Sequence, residues 1–123
     1  MREIKFRGKG INSGQWFYGS AVTFGNKAYI FKMFRLLRME HAEVVPDTVG
    51  QFTGLHDKYG YEIYEGDIVR HDENGKCYSI IYEEPMFRFA PNDDCFAFLN
   101  HPELLEVIGN IPDNPELLKG GEQ

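Results

Sequence analysis

Cysteine is scarce in this chain of 123 residues: only Cys77 and Cys95, far apart and in no C-x-x-C pair. That excludes a disulfide framework and predicts reduced thiols in a cytoplasmic protein. No apolar run approaches the roughly 18 residues that cross a membrane as a helix. The opening MREIKFRGKG is charged and lacks the apolar stretch of a signal peptide. The chain is thus expected to be neither exported by such a signal nor inserted in a membrane. Glycine is plentiful, yet neither G-x-x-x-x-G-K-[ST] nor G-x-G-x-x-G occurs, which argues against a nucleotide-phosphate loop.

The ligand patterns of metal sites are missing too. His41, His56, His71 and His101 are scattered, with no second histidine or cysteine at zinc spacing. HDENGK sets Asp72, Glu73 and Asn74 in consecutive positions, whereas a calcium loop needs oxygens at alternate ones. PNDD (91–94) reads as a solvated loop. There is no G-x-S-x-G elbow. Glu65 and Asp67, two apart on one strand face, read as a solvated edge or as partners for Arg70 or Arg88. His71 and Cys77 would form a dyad only in a shifted hairpin register. The expectation is no catalytic residue, no metal and no cofactor.

What is present is aromatic and charged: 15% aromatic and 26% charged residues, a globular composition. A chain this long buries roughly two-thirds of the surface its unfolded form exposes, so one domain with two lobes needs no staple. Ile4 and Phe6 alternate with Glu3, Lys5 and Arg7, the period of a half-buried strand. QWFYGSAVTF (15–24) is a second strand, bulged at Gly19. Gly25-Asn26 turns it into KAYIF (27–31), with Phe24 facing Lys27 and Val22 facing Tyr29. FKMFRLLRMEHAE (31–43) fits a short helix and a strand equally, because its apolar positions mark no single face. EVVPDTVGQFTG reads as extended, since the residue before Pro46 avoids the α region.

Turn chemistry then dominates. Asp57-Lys58-Tyr59-Gly60 fits a type I turn. EIYEGDIVRH (62–71) and KCYSIIYEE (76–84) flank Asn74-Gly75, a two-residue hairpin signal that pairs Val69 with Ile80, Ile68 with Ile81 and His71 with Tyr78. MFRFAP, CFAFLN and LEVIGNI (105–111) add strands, and Asn114-Pro115 opens a terminal helical turn ended by Gly120. Asp57, Gly60, Gly66, Asn74 and Gly75 are therefore expected to serve turns.

Charge is unevenly placed. Residues 1–39 hold eight basic residues and one acidic, a net +7, while 40–123 hold five basic and eighteen acidic, a net −13. Lys5, Arg7 and Lys9 share one strand face, with Trp16 and Tyr18 following across a turn. Cations beside aromatics suit single-stranded nucleic acid. The acidic whole favours instead a core role for the aromatics and a protein partner of unknown identity. The strand over 3–8 is a candidate edge, which would allow a homo-oligomer built on the basic strand.

TVGQFTGLHDKYGYEIYEGDIVR (48–70), REIKFRGK with WFYG (16–19), and EVIGNIPDNPELL (106–118) together resemble the YopX-like family of phage and prophage proteins. The resemblance spans nearly the whole chain, although 32–43 is longer and more helix-prone than the family's extended linker. It implies a mainly β protein: an N-terminal β-meander (1–49) packed on an SH3-like barrel (50–119), a short C-terminal helical turn and a loose tail (120–123). It implies a life in bacteria carrying phage DNA, and it supplies neither a function nor a catalytic residue; the reading adopted is an accessory role through protein–protein contact in the bacterial host cytoplasm.

Overall fold

The computed structural model describes residues 4–33, 39–83, 86–90 and 101–117. The registered strand pairs among the described residues are antiparallel, and contacts divide the chain into two compact units, Met1–Phe52 and Thr53–Gln123. The expectation of a mainly β chain holds.

In the first unit β1 (Phe6–Lys9), β2 (Trp16–Phe24), β3 (Lys27–Met33) and β4 (Met39–Val44) are sequential neighbours, and β5 (Gly50–His56) lies on the far side of β1. The Gly25-Asn26 hairpin has the expected register, with Val22 opposite Tyr29 and Phe24 opposite Lys27. The ambiguous 31–43 segment contributes strand at both ends, while 34–38 lie outside the described residues. β-branched and aromatic residues alternating in pairs decide this: Ile30 faces Ala42 and Ala28 faces Val44 across β3 and β4. Ala28, Ile30 and Val44 form the core, with Phe6, Phe17, Ala21 and Val49 packed around them.

Three expectations need correction here. The basic strand is not an edge, because β1 pairs with β2 on one side and with β5 on the other. Its end is also tied to β4: Val45 N donates to Lys9 O at 2.8 Å, Ile11 N to Glu43 O at 3.1 Å, and Gly10 bridges Val44. Ile4 does not share the inward face of Phe6. It is 73% exposed, since the strand begins only at Phe6. And 43–54 is not extended throughout, because Pro46–Thr48 forms a 3-10 turn after an extended Val45.

The second unit contains β6 (Glu62–Tyr64) beside β5, and an open sheet of β7 (Asp67–His71), β8 (Cys77–Glu83), β9 (Met86–Ala90) and β10 (Leu105–Asn110) in the order β10-β7-β8-β9. Its core is Ile63, Val69, Tyr78, Ile80 and Leu105. The strand expected over 62–71 is broken at Glu65-Gly66, where Gly66 takes φ 93°. Asp67 accepts a hydrogen bond from Tyr64 N at 2.7 Å across that break, so Glu65 and Asp67 are not a carboxylate pair on one strand.

The β7–β8 register also differs: Val69 faces Tyr78 and Ile68 faces Ser79. The loop is longer than two residues. His71 N donates to Lys76 O, and Gly75, at φ 70°, donates back to His71 O at 2.8 Å. The slip is two residues, so every side chain keeps its face. His71 and Cys77 stay on opposite faces.

Asp57 organises the other turn. Its Oδ1 accepts from Tyr59 N and Tyr61 N at 2.9 Å each, and its Oδ2 from Val107 N at 3.0 Å. Gly60 N closes the turn on Asp57 O. Pro46–Thr48 and Pro102–Leu104 are 3-10 turns, and after Asn114 the chain enters a helical turn at 116–117, where Leu117 N donates to Asn114 O. The Asn114 side chain points backward, accepting from Asn110 N at 3.3 Å. Strand CFAFLN, the PNDD loop and the tail 120–123 lie outside the described residues.

The glycines of RGKG were not singled out by sequence, and both are close-approach positions. A Cβ at Gly8 would stand 2.7 Å from Val44 Cγ2, and one at Gly10 would stand 2.7 Å from the Phe17 ring. Val44 is fully buried and β-branched, so it has no rotamer to move into. Gly8→Ala should cost about 1–3 kcal/mol in urea denaturation. Combined with Val44→Ala, it should cost clearly less than the two single losses added, as touching residues do.

Candidate functional site

The face of β2–β4 opposite the core carries the unit's unusual surface. Cross-strand pairs set Val22 beside Tyr29 and Glu43, and Ser20 beside Phe31 and His41. Phe31 and His41 stack with ring centroids 5.2 Å apart, and Tyr29 meets His41 at 6.4 Å. Around them Phe24 is 79% exposed, Met39 55%, Val22 46% and Tyr18 42%. A contiguous apolar surface of this kind is characteristic of contact sites rather than of a solvated face.

β2 changes partners midway. Its pairing with β1 ends at Phe6↔Gly19 and its pairing with β3 begins at Ser20↔Phe31. A Cβ at residue 19 would overlap the Phe31 carbonyl oxygen, so glycine is what lets the strand turn away here. Where β2 departs, a cavity of about 500 Å³ opens between its first residues and the ends of β3 and β4. Ile30 and Ala42 give it an apolar base continuous with the core. Lys32 and Glu40, the next pair outward, give it one charge of each sign, and Trp16, Tyr18 and His41 also line it.

The five residues expected to face a partner are brought close together. Register pairs Arg7 with Tyr18 and Lys9 with Trp16. Two of the three cations, Arg7 and Lys5, are however turned onto the protein's own rings. The Arg7 guanidinium lies 4.6 Å from the Trp16 centroid and Arg7 is 6% exposed, while Lys5 Nζ lies 5.4 Å from the Phe52 centroid. Ile30, Lys32, Glu40, His41 and Ala42 were missed by sequence reasoning because 31–43 shows no clear period. The signal available was the Gly25-Asn26 hairpin, whose register already aligns β3 with the departing β2.

In the second unit, Lys58 Nζ contacts Asp72 at 3.0 Å, and Arg70 contacts Glu106 at 2.7 Å. These hydrogen bonds to carboxylates raise the pKa of each cation above its ordinary value. Both pairs are solvent-facing and contribute little. Asn74 Nδ2 donates to Tyr78 Oη at 3.0 Å, inside the hairpin. Among the described residues no three His, Cys, Asp or Glu side chains gather as a metal site, and no helix is long and apolar enough to cross a membrane.

A model of the family described as YopX protein matches residues 5–119. Among solved structures, the chain is similar to the crystal structure of protein EF1440 from Enterococcus faecalis. Identity is 24%, the match covers 96% of this chain and 99% of that one, and the TM-score is 0.64. At that identity the likeness speaks for the fold. The comparison with curated proteins gives no match.

The Arg7–Trp16 stack makes a direct prediction. Trp16 is the only tryptophan, so its fluorescence reports on this position alone. Arg7→Met keeps the aliphatic stem and removes the cation. It should lower stability by about 1 kcal/mol and change the emission maximum. An unchanged spectrum and unchanged stability would show that the stack contributes nothing.

Proposed function

The chain belongs to the YopX family, and from that premise we propose that it is a non-enzymatic accessory protein of a phage or prophage, acting in the host cytoplasm through contact with another protein. The phage setting and the SH3-like arrangement of 50–119 rest on the family resemblance. The contact itself is supported by one observation above all: the exposed aromatic and aliphatic face of β2–β4, with Phe24, Val22 and Tyr18 around the Phe31–His41 stack. Large aromatic side chains on a preformed sheet bring contact area at little entropic cost, which is the composition of binding hot spots.

Nucleic acid is the second reading, and it has its own support. Arg7 and Lys9 lie across from Tyr18 and Trp16 on one sheet, as basic strands do beside base-stacking rings. The turning of Arg7 and Lys5 onto Trp16 and Phe52 weighs against it, because a cation held on a ring is less available to a phosphate.

A photo-crosslinking residue placed at Phe24 tests the first reading. In host lysate it should give a discrete protein adduct that survives nuclease, and Val22→Glu should remove that adduct. Adducts lost on nuclease treatment would move the assignment to nucleic acid. In that case, replacing Lys5, Arg7 and Lys9 with Gln should flatten the dependence of log affinity on log salt by about 2 units.

A further inference from the structure

Pairing of β2 with β3 stops at Ser20↔Phe31, whereas pairing of β3 with β4 continues to Met33↔Met39. Lys32 and Met33 therefore have β4 on one side and, among the described residues, no paired strand on the other. That short open edge of β3 borders the cavity lined by Ile30, Lys32, Trp16 and Tyr18. A strand edge offers N–H and C=O groups to an incoming extended segment, and a pocket beside it receives alternate side chains. Deepening the proposed protein contact, and resting on it, we infer that this cavity is a peptide site. An extended, acidic segment of the partner adds along β3 at Lys32–Met33 and seats an apolar side chain on Ile30 and Ala42.

The cavity's size and charge argue for this occupant. At about 500 Å³ it exceeds one side chain and accommodates a side chain with its flanking backbone. Its base is apolar. Its one carboxylate, Glu40, faces Lys32 across the strands, and its Trp16 wall lies opposite Lys9 and under the Arg7 guanidinium, so a segment lying outside the Lys32–Glu40 pair meets cations. Like charge would be repelled there and acidic side chains drawn in, with the salt dependence of exposed electrostatics. Trp16 is fixed as a wall by the Arg7 guanidinium on its face, so the site is preformed.

The test uses the full chain and a ten-residue peptide of glutamates alternating with valine and phenylalanine, free of tryptophan. Excited selectively, the single Trp16 reports occupancy. The expected result is a saturable change in its emission that weakens as salt rises. Lys32→Glu should weaken binding by tenfold or more, and Ala42→Phe, which fills the base, should remove it. Both variants should keep the wild-type circular dichroism. If Ala42→Phe fails to fold, Lys32→Glu alone decides. No saturable response up to millimolar peptide, equal binding of a lysine-for-glutamate peptide, or indifference to Lys32→Glu would overturn the inference. So would displacement of the peptide by single-stranded oligothymidine that itself responds to Lys32→Glu, which would assign the cavity to nucleic acid. A Phe24 adduct that persists while the peptide fails to bind would sink this site and leave the outer contact face standing.

Discussion

The close passage of Gly19 against the Phe31 carbonyl is the constraint from which the first unit's geometry follows. Any side chain there would push β2 and β3 apart or keep β2 straight. With glycine, one strand serves two neighbours in turn: β1 for Trp16–Gly19, then β3 for Ser20–Phe24. The bend lets the sheet curl, so that the end of β1 meets the end of β4 and Val44 is enclosed between them. Curvature built at a glycine is a recurring device of small β folds. The same bend leaves β3 short of a neighbour over its last residues. Core and cavity are thus two results of one contact.

Charge plays a different part here from the one its distribution suggests. A row of cations opposite aromatic rings has the outline of a polyanion site. In the folded unit the rings hold the cations, Arg7 on Trp16 and Lys5 on Phe52, so part of the row serves packing. What remains exposed is apolar, on the neighbouring strands. The contrast between a charged strand engaged with its own fold and a mainly apolar face left open supports the proposed protein contact over nucleic acid.

Strand content and turns were largely legible. The hairpin at Gly25-Asn26 fixed its own register, and Asp57-Lys58-Tyr59-Gly60 closes with the hydrogen bond its residue types call for. Asn74-Gly75 misled, because a single αL glycine closes a four-residue loop as readily as a two-residue one, and residue types do not separate the two. Gly66 was expected to serve a turn even though 62–71 around it read as one strand, and the strand breaks at that glycine. The edge assignment of β1 failed for a non-local reason: β5 arrives from residue 50 onward, and nothing within 1–9 announces it. The cavity was invisible for the same reason, since it depends on where two distant strands part. Gly8 and Gly10 were readable only in hindsight, because glycine reports a close approach without naming what approaches.

The bond from Val107 N to Asp57 Oδ2 joins residues 50 positions apart. On a ribosome it sets an order of events. The first unit is complete when Phe52 N reaches Lys5 O, using only residues already made. The second must wait for β10, and at about 5–20 residues per second that wait lasts roughly 3–10 s. Through that interval Asp57 Oδ2 is without the Val107 N–H that it accepts in the folded unit. The nascent protein thus presents its aromatic face before its own C-terminal half has closed.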